Sequence, residues 1–320
     1  MSQQQQLWLG LLQKTSKRLD KIGVVTITYN SADILQPFLD CVWSQTHDDL
    51  VLYVVDNSSS DSTLSILKKN NNSRLIIIEN KINFGVAKAN NQGIVKAIED
   101  GCNQILIINN DVEFEPMLIE KLIKVQEKNN CSLVAPKMMY FDSPNKIWYA
   151  GSWFIKRKGY LPLHRGMKQL DKGQYDEILE VEYAPTCCLL AKKEVFQDIG
   201  LMDEKYFVYF DDTDFSYRVW KDRRHKIFYC PDIKFYHKVG SLTNSFNKEE
   251  DKIFRGDFFI QQNAKNHIYF LKKIGGLFVY AFIVWLFFKN NIRFVISPQI
   301  KKNFSTWWLI NKSYLEGLFL

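Results

Sequence analysis

Along the first 135 residues the hydrophobic positions alternate between two periods. GVVTITYN (23–30) is a short β-branched run ending in polar residues, the signature of a buried strand. Ile34, Leu35, Phe38, Leu39, Val42 and Trp43 then recur at helical spacing, which predicts a helix over 33–45 with Pro37 in its first turn. The pattern repeats with LVLYVVD (50–56) as strand, Asp61 as N-cap of a helix over 62–70, and RLIIIEN (74–80) as strand. A helix over 86–100 and a strand QILIINND (104–111) follow.

Four apolar strands separated by helices predict an α/β fold with a mostly parallel central sheet covered on both faces. In such sheets ligands bind beyond the C-terminal ends of the strands. The polar residues there are Thr28-Tyr29-Asn30, Asp56-Asn57, Asn83 with Gly85, and Asn109-Asn110-Asp111. From 136 to 251 the alternation gives way to shorter aromatic-rich segments with no Pro/Gly/Ser linker, so this stretch is expected to be the second half of the same domain.

The net charge of +7 is uneven: residues 252–320 carry 10 Lys/Arg against 2 Asp/Glu, which leaves −1 for the rest. A basic tail can serve nucleic acid or an anionic membrane, and the neighbouring composition decides. Here IGGLFVYAFIVWLFF (274–288) sits between Lys272-Lys273 and Lys289, which points to a membrane surface and not to nucleic acid. As a helix those residues reach about 22 Å, short of the roughly 30 Å hydrocarbon core, so the segment is expected to lie in the interface. Tyr280, Trp285, Trp307-Trp308, Arg293, Lys301 and Lys302 suit the headgroup boundary. The alternative is a buried core helix.

The first twenty residues lack a basic start, apolar stretch and cleavage site, which predicts a cytoplasmic body, peripheral on the inner face of the plasma membrane. Six cysteines without a C-x-x-C pair are expected to be reduced thiols, mostly buried.

No G-x-G-x-x-G follows the first strand and no G-x-x-x-x-G-K-[ST] occurs, against a dinucleotide enzyme or P-loop ATPase. VVTITYNS (24–31), VVDNSSSDST (54–63), NFGVAKANNQGI (83–94), NND (109–111) and YFVYFDDTDFSYRVWKDRRHKIFY (206–229) followed by His237 stand in one order. As an ordered set they resemble the inverting glycosyltransferases of family 2, which have the GT-A fold. NFGVAKANNQGI is similar to a stretch of the rhamnosyltransferase-like branch. The resemblance divides the chain into an N-terminal extension (1–21), a GT-A domain (22–250) with a nucleotide-sugar half (22–135) and an acceptor half (136–250), and a helical basic and apolar tail (251–320).

The resemblance implies a nucleotide diphosphate sugar donor and a divalent metal, Mg²⁺ or Mn²⁺, with Asp111 as its hard oxygen ligand and His237 as a distant ligand. Asn109 stands where the family usually has an acid. Thr28, Asn30 and Asp56 are expected at the nucleotide's base or ribose, with an Asx turn as the alternative for Asp56. Asn83, Gly85, Asn90 and Asn110 are expected near the diphosphate or sugar. Asp212 is expected to take the acceptor's proton. Asp211 replaces the family's glutamate, and crowding at 211, 212 and 214 could move that role by one residue. Asp214 is expected to cap the following helix, and Arg218 to pair with it or hold the diphosphate.

The implied reaction is a single displacement with inversion onto a saccharide or lipid-linked saccharide, in bacterial surface polysaccharide or O-antigen synthesis. dTDP-rhamnose is favoured and a UDP-hexose comes next. A catalytically inactive, nucleotide-sugar-binding scaffold is the rival. A nucleotidyltransferase would need a glycine- and lysine-bearing loop where TYNSADIL (28–35) stands, and a processive synthase would need several long apolar segments and Q-x-x-R-W.

Overall fold

The computed structural model describes residues 20–238, 247–249, 252–254, 256–296 and 304–320. Most of the expected N-terminal extension, residues 239–241 after the histidine, and Lys301-Lys302 lie outside these described residues.

The first half builds as its two hydrophobic periods require. β1 (Ile22–Thr28), α1 (Ala32–Trp43), β2 (Leu50–Asp56), α2 (Thr63–Lys69), β3 (Leu75–Glu79), α3 (Val86–Glu99) and β4 (Gln104–Ile108) follow in order. β1 pairs parallel with both β2 and β4, and β2 with β3. β5 (Val112–Phe114) and α4 (Leu118–Lys128) close this half.

Three local expectations shift. Pro37 lies in the second turn of α1, not the first. The fourth strand ends at Ile108, so Asn109-Asn110-Asp111 forms the turn into β5. Asp61 sits one residue before the N-cap Ser62, yet its Oδ1 accepts from Thr63 N (3.0 Å) while Oδ2 accepts from Ala32 N (3.1 Å), so one carboxylate serves the starts of α1 and α2.

The second half adds strands to the same sheet. β6 (Leu133–Pro136), β11 (Leu179–Val181), β12 (Cys188–Lys192) and β13 (Ile227–Cys230) extend it to eight strands in the order β11-β13-β6-β12-β4-β1-β2-β3. β12 enters antiparallel between β4 and β6 and β11 pairs antiparallel with β13, while β6 and β13 run parallel to each other. β7 (Met138–Tyr140), β8 (Ser143–Tyr149) and β14 (Phe235–His237) join β5 in a four-stranded sheet, and β9 (Ser152–Ile155) pairs with β10 (Leu161–His164). Helices α5 (Lys193–Ile199) and α6 (Asp211–Asp222) complete the domain. The cysteines are free, and all but the half-buried Cys41 are buried.

Among the described residues the tail forms three helices, α7 (Asp257–Ile274), α8 (Leu277–Ile296) and α9 (Phe304–Phe319). α8 runs past the expected apolar run through Lys289 and Arg293, and its 20 residues are long and apolar enough to cross a bilayer. Val279 and Ile283 are buried beside Ile268 and Leu271 of α7. Trp285 is 47% and Phe288 63% exposed, so α8 is not a buried core helix.

Close approach of α3 to the sheet rests on missing side chains. A Cβ on Gly93 would stand 2.4 Å from Val25 Cγ1, and one on Gly23 2.5 Å from Ala97 Cβ. Helix propensity alone favours Gly93→Ala by about 1 kcal/mol. Overpacking of this kind costs about 1–3 kcal/mol, and with β1 and β2 fixed on both sides the clash should win. Urea denaturation of Gly93→Ala is expected to give a net loss of about 1 kcal/mol; equal or higher stability would show that α3 can shift outward.

Candidate active site

The parallel register sets Thr28 beside Asp56 at the sheet's C-terminal edge. Asp56 is fully buried: its Oδ1 accepts from Thr28 Oγ1 (2.8 Å) and Ser59 Oγ (2.5 Å), and its Oδ2 from Ser59 N (2.9 Å). Asp56 thus builds the turn 56–59, the Asx-type arrangement held open as its alternative. Asn30, exposed and in the left-handed region (φ 51°), accepts from Ser60 N (2.8 Å) and donates its own N–H to Ser59 Oγ (2.9 Å). Thr28, Asn30 and Asp56 therefore lie together in one interlocked loop pair.

The 83–94 stretch links this edge to the second half. Gly85 has φ 82°, its N–H donates to Asn83 Oδ1 (2.8 Å), and its carbonyl accepts from Asn57 Nδ2 (3.0 Å). A Cβ on Gly85 would stand 2.3 Å from the Phe207 carbonyl, which accepts from Val86 N (2.6 Å). Only glycine meets both the conformation and the approach. Asn90 is buried on α3. Its neighbour Asn91, which sequence reasoning passed over, bonds both the N–H and the carbonyl of Met202.

At the β4–β5 turn, His237 Nε2 lies 3.4 Å from Asp111 Oδ1. The β5–β14 ladder fixes this pair by setting His237 opposite Val112, and Lys238 N donates to the Asp111 carbonyl (2.9 Å). Trp148 packs edge-on against His237 with centroids 4.6 Å apart. His237 Nδ1 and both side-chain polar atoms of Asn110 are buried with no hydrogen-bond partner among the described residues. Each such group costs about 1–3 kcal/mol, which marks this edge as built for something polar that completes it. A hard carboxylate oxygen and an imidazole nitrogen fit a divalent cation that also takes ligand or water oxygens. No cluster of three His, Cys, Asp or Glu occurs among the described residues.

The acid run follows a strained turn. Tyr209 (φ 65°) and Phe210 (φ 70°) are successive left-handed residues, each costing about 1–3 kcal/mol, and α6 starts directly at Asp211. Asp212 Oδ2 accepts from the Tyr183 hydroxyl (2.7 Å) and Oδ1 from Thr213 Oγ1 (3.2 Å). Burial pushes the Asp211 carboxyl well above the usual range, helped by the neighbouring Asp212 charge. Burial also raises Asp212, opposed by its hydrogen bonds from Tyr183 and Thr213.

Asp214 does not cap the helix, because α6 begins three residues earlier; it lies in the first turn, paired with Arg218 Nε (2.9 Å) and Lys273 Nζ (2.6 Å). Arg218 also donates to the carbonyls of Ile199 and Leu201 (both 2.8 Å), so its side chain anchors the loop after α5.

Cys187, just before β12, connects the two acid groups. Its carbonyl accepts from Asn109 N (3.1 Å), and its thiol is pushed up mainly by burial and further by the charges of Asp111 and Asp212. The segment 183–187 thus bonds Asp212 at one end, through the Tyr183 hydroxyl, and the Asn109–Asp111 turn at the other, through the Cys187 carbonyl. Tyr183 and Cys187 were invisible to sequence reasoning: a tyrosine in an aromatic-rich chain and one of two adjacent buried thiols carry no distinguishing pattern.

A parallel edge of interlocked polar loops joined by an antiparallel strand to an acid run matches the GT-A architecture, and the chain is a glycosyltransferase by its family. The chain belongs to glycosyl transferase family 2, whose model matches residues 23–200. The low-salt glycan biosynthesis hexosyltransferase Agl10 of Haloferax volcanii is 22% identical over 205 residues, 64% of this chain and 63% of its own. The matched stretch thus spans less than two thirds of that relative. The dTDP-rhamnosyl transferase RfbF of Shigella flexneri is 26% identical over 222 residues, covering 69% of this chain and 70% of its own. An N-acetylglucosaminyl-diphospho-decaprenol L-rhamnosyltransferase of Mycobacterium tuberculosis is 24% identical over 250 residues, covering 70% and 78%. In fold, the crystal structure of S. aureus TarS 1–349 superposes with a TM-score of 0.58 at 13% identity, covering 93% of this chain and 80% of that one.

Raised carboxyl values carry a stability consequence of definite sign. Between the unfolded carboxylate value and the higher folded one, the native state binds more protons, so stability falls as pH rises through that window. Asp211→Asn removes the ionisation that burial and Asp212 disfavour. It is expected to raise unfolding free energy at pH 8 by on the order of 1 kcal/mol, read as a higher melting temperature, with the gain shrinking as pH falls towards 4. A pH-independent change would show that Asp211 is not held protonated.

Proposed function

We propose that this chain transfers a sugar from a nucleotide diphosphate donor to a saccharide or lipid-linked saccharide acceptor, with inversion. The observation that carries this reading is that the segment 183–187 bonds Asp212 through the Tyr183 hydroxyl at one end and the turn bearing Asp111, with His237 beside it, through the Cys187 carbonyl at the other. Asp212 takes the acceptor hydroxyl's proton while the acceptor oxygen bonds the anomeric carbon, and the bond from that carbon to the phosphate oxygen breaks. Tyr183 holds Asp212 by its hydroxyl. A divalent cation, Mg²⁺ or Mn²⁺, held by Asp111 and His237 would stabilise the charge left on the diphosphate. Thr28, Asn30 and Asp56 form the edge for base and ribose, and Asn83, Gly85, Asn90 and Asn110 the edge for diphosphate and sugar.

dTDP-rhamnose is the favoured donor and a UDP-hexose the next, supported by the 83–94 stretch and by two relatives named for rhamnosyl transfer. A bacterial surface polysaccharide or O-antigen is the proposed product. Nucleotide diphosphate release from dTDP- and UDP-sugars, with and without Mn²⁺, tests the class. One donor should turn over only with metal, and Asp111→Ala and Asp212→Asn should each lower turnover by about 10²-fold or more. Donor binding without any turnover would favour the inactive scaffold.

The tail is proposed to lie in the interface of the inner leaflet of the plasma membrane. Packing of Val279 and Ile283 on α7 leaves one side of α8 covered by protein, so the helix is not free to be surrounded by lipid. Leu277, Phe278, Val284, Trp285, Phe288 and Ile292 are exposed, and Lys156 and Lys289 lie over Phe278 and Trp285. The protein should float with phosphatidylglycerol liposomes. Trp285→Ser with Phe288→Ser should weaken flotation about 10²-fold while leaving donor turnover in solution intact, and equal flotation would remove the anchor.

A further inference from the structure

The strained turn ahead of the acid run is held from outside the catalytic domain. Asn266, on α7 in the tail, is fully buried, and its Nδ2 donates to the carbonyls of both Val208 and Tyr209 at 2.9 Å. Among the described residues its Oδ1 has no hydrogen-bond partner, so the polar contribution of this side chain there goes to those two carbonyls. They belong to the residues just before and within the left-handed pair Tyr209-Phe210, which extended or helical backbone would replace if nothing over-determined it.

The next residue on α7 adds to the hold. The His267 ring stacks on Phe210 (centroids 5.4 Å, interplanar angle 26°), and its Nε2 lies 2.9 Å from the Gly159 carbonyl. Burial holds this imidazole's pKa down to about 4, so at neutral pH it is an uncharged donor to that carbonyl. Nearly two turns further on, Lys273 reaches Asp214 inside α6 (2.6 Å) and Asp203 before the turn (2.7 Å). The turn's last carbonyl, Phe210 O, accepts the Asp214 N–H that starts α6. The direction in which Asp211 and Asp212 leave the turn is therefore set by α7.

We propose that Asn266 is a positioning residue for the acid run: it fixes the Val208–Phe210 turn so that Asp212 meets Tyr183 and the acceptor. This rests on the reading of Asp212 as the proton acceptor. An asparagine buried in a tail helix would be a costly choice for packing alone, since an apolar side chain of similar volume avoids the orphaned oxygen.

Three measurements on the full chain test it, comparing the parent, Asn266→Ala and Asn266→Ser. Amide exchange should accelerate by about tenfold at residues 211–214 in Asn266→Ala and stay at the parental rate in β1, β2 and β4. Binding of dTDP should be unchanged. In dTDP release from dTDP-rhamnose with Mn²⁺, kcat should fall by about tenfold while KM for the donor changes by less than about twofold. Asn266→Ser, which keeps one donor, should fall between the two. Parental exchange at 211–214, parental kcat, or an acceleration of exchange spread evenly over the chain would each overturn the proposal. Asp212→Asn in the same assays separates the two readings. If it turns over like the parent, the assignment of the base fails whatever Asn266 does. If it is inactive while both Asn266 variants match the parent, the positioning role alone fails.

Discussion

The antiparallel ladder between β4 and β12 is the constraint on which the rest of the site depends. Its register runs from Gln104 opposite Lys192 to Ile108 opposite Cys188, and it continues as the bond from Asn109 N to the Cys187 carbonyl. β4 carries the end of the parallel half and β12 the start of the second half's contribution, so this one pairing decides which residues face each other across the cleft. A slip of one residue would exchange the two faces of β12, both of which are packed in the core. Four of the five β12 residues are buried, which opposes that slip strongly. With the register fixed, the Cys187 carbonyl holds the turn that bears Asp111, and Tyr183, four residues earlier, holds Asp212.

The two ends of this edge differ in how their polar groups are satisfied. At the β1–β2 end, Thr28, Asp56, Ser59, Asn30 and Ser60 bond one another, a closed network that holds the loops in shape. At the β4–β5 turn, Asn110 and His237 keep buried atoms without partners. A closed network gives a rigid recognition surface, whereas orphaned groups lose little when a charged ligand enters, since their desolvation is already complete. The fold thus spends stability where the diphosphate is proposed to lie and conserves it where the base is proposed to lie.

The parallel half was legible because its strands are continuous apolar runs and its helices keep a strict period. Strand β4 was read too long only because the NND turn follows without a glycine or proline to mark the break. The second half was not legible: its strands are three to seven residues long, several antiparallel, in a chain whose aromatic residues are spread through both core and site. Asp111, His237, Asp212 and Arg218 could be picked out from motif order, but their partners could not. Tyr183 lies 29 residues from Asp212, and Asn266 lies 58 from Val208. Pairings over such separations are set by tertiary packing, which leaves no local pattern. The i, i+4 spacing of Asp214 and Arg218 was the exception, and there the sequence reading of a pair matches the structure.

The same tail that bears the apolar face of α8 also bears the side chains that hold the turn before Asp211. α8 packs on α7 through Val279 and Ile283, and α7 meets the turn through Asn266 and His267. Only one helix therefore separates the exposed face of α8 from the acid run. With packed helices about 8–10 Å apart, a lipid surface against α8 would lie on the order of 20 Å from Asp212. That distance suits an acceptor whose reactive sugar projects from the membrane on a diphosphate and a short saccharide. An acceptor free in solution would need no such spacing, and nothing in its chemistry would require the helix that sets the turn to be the one that packs against the apolar face.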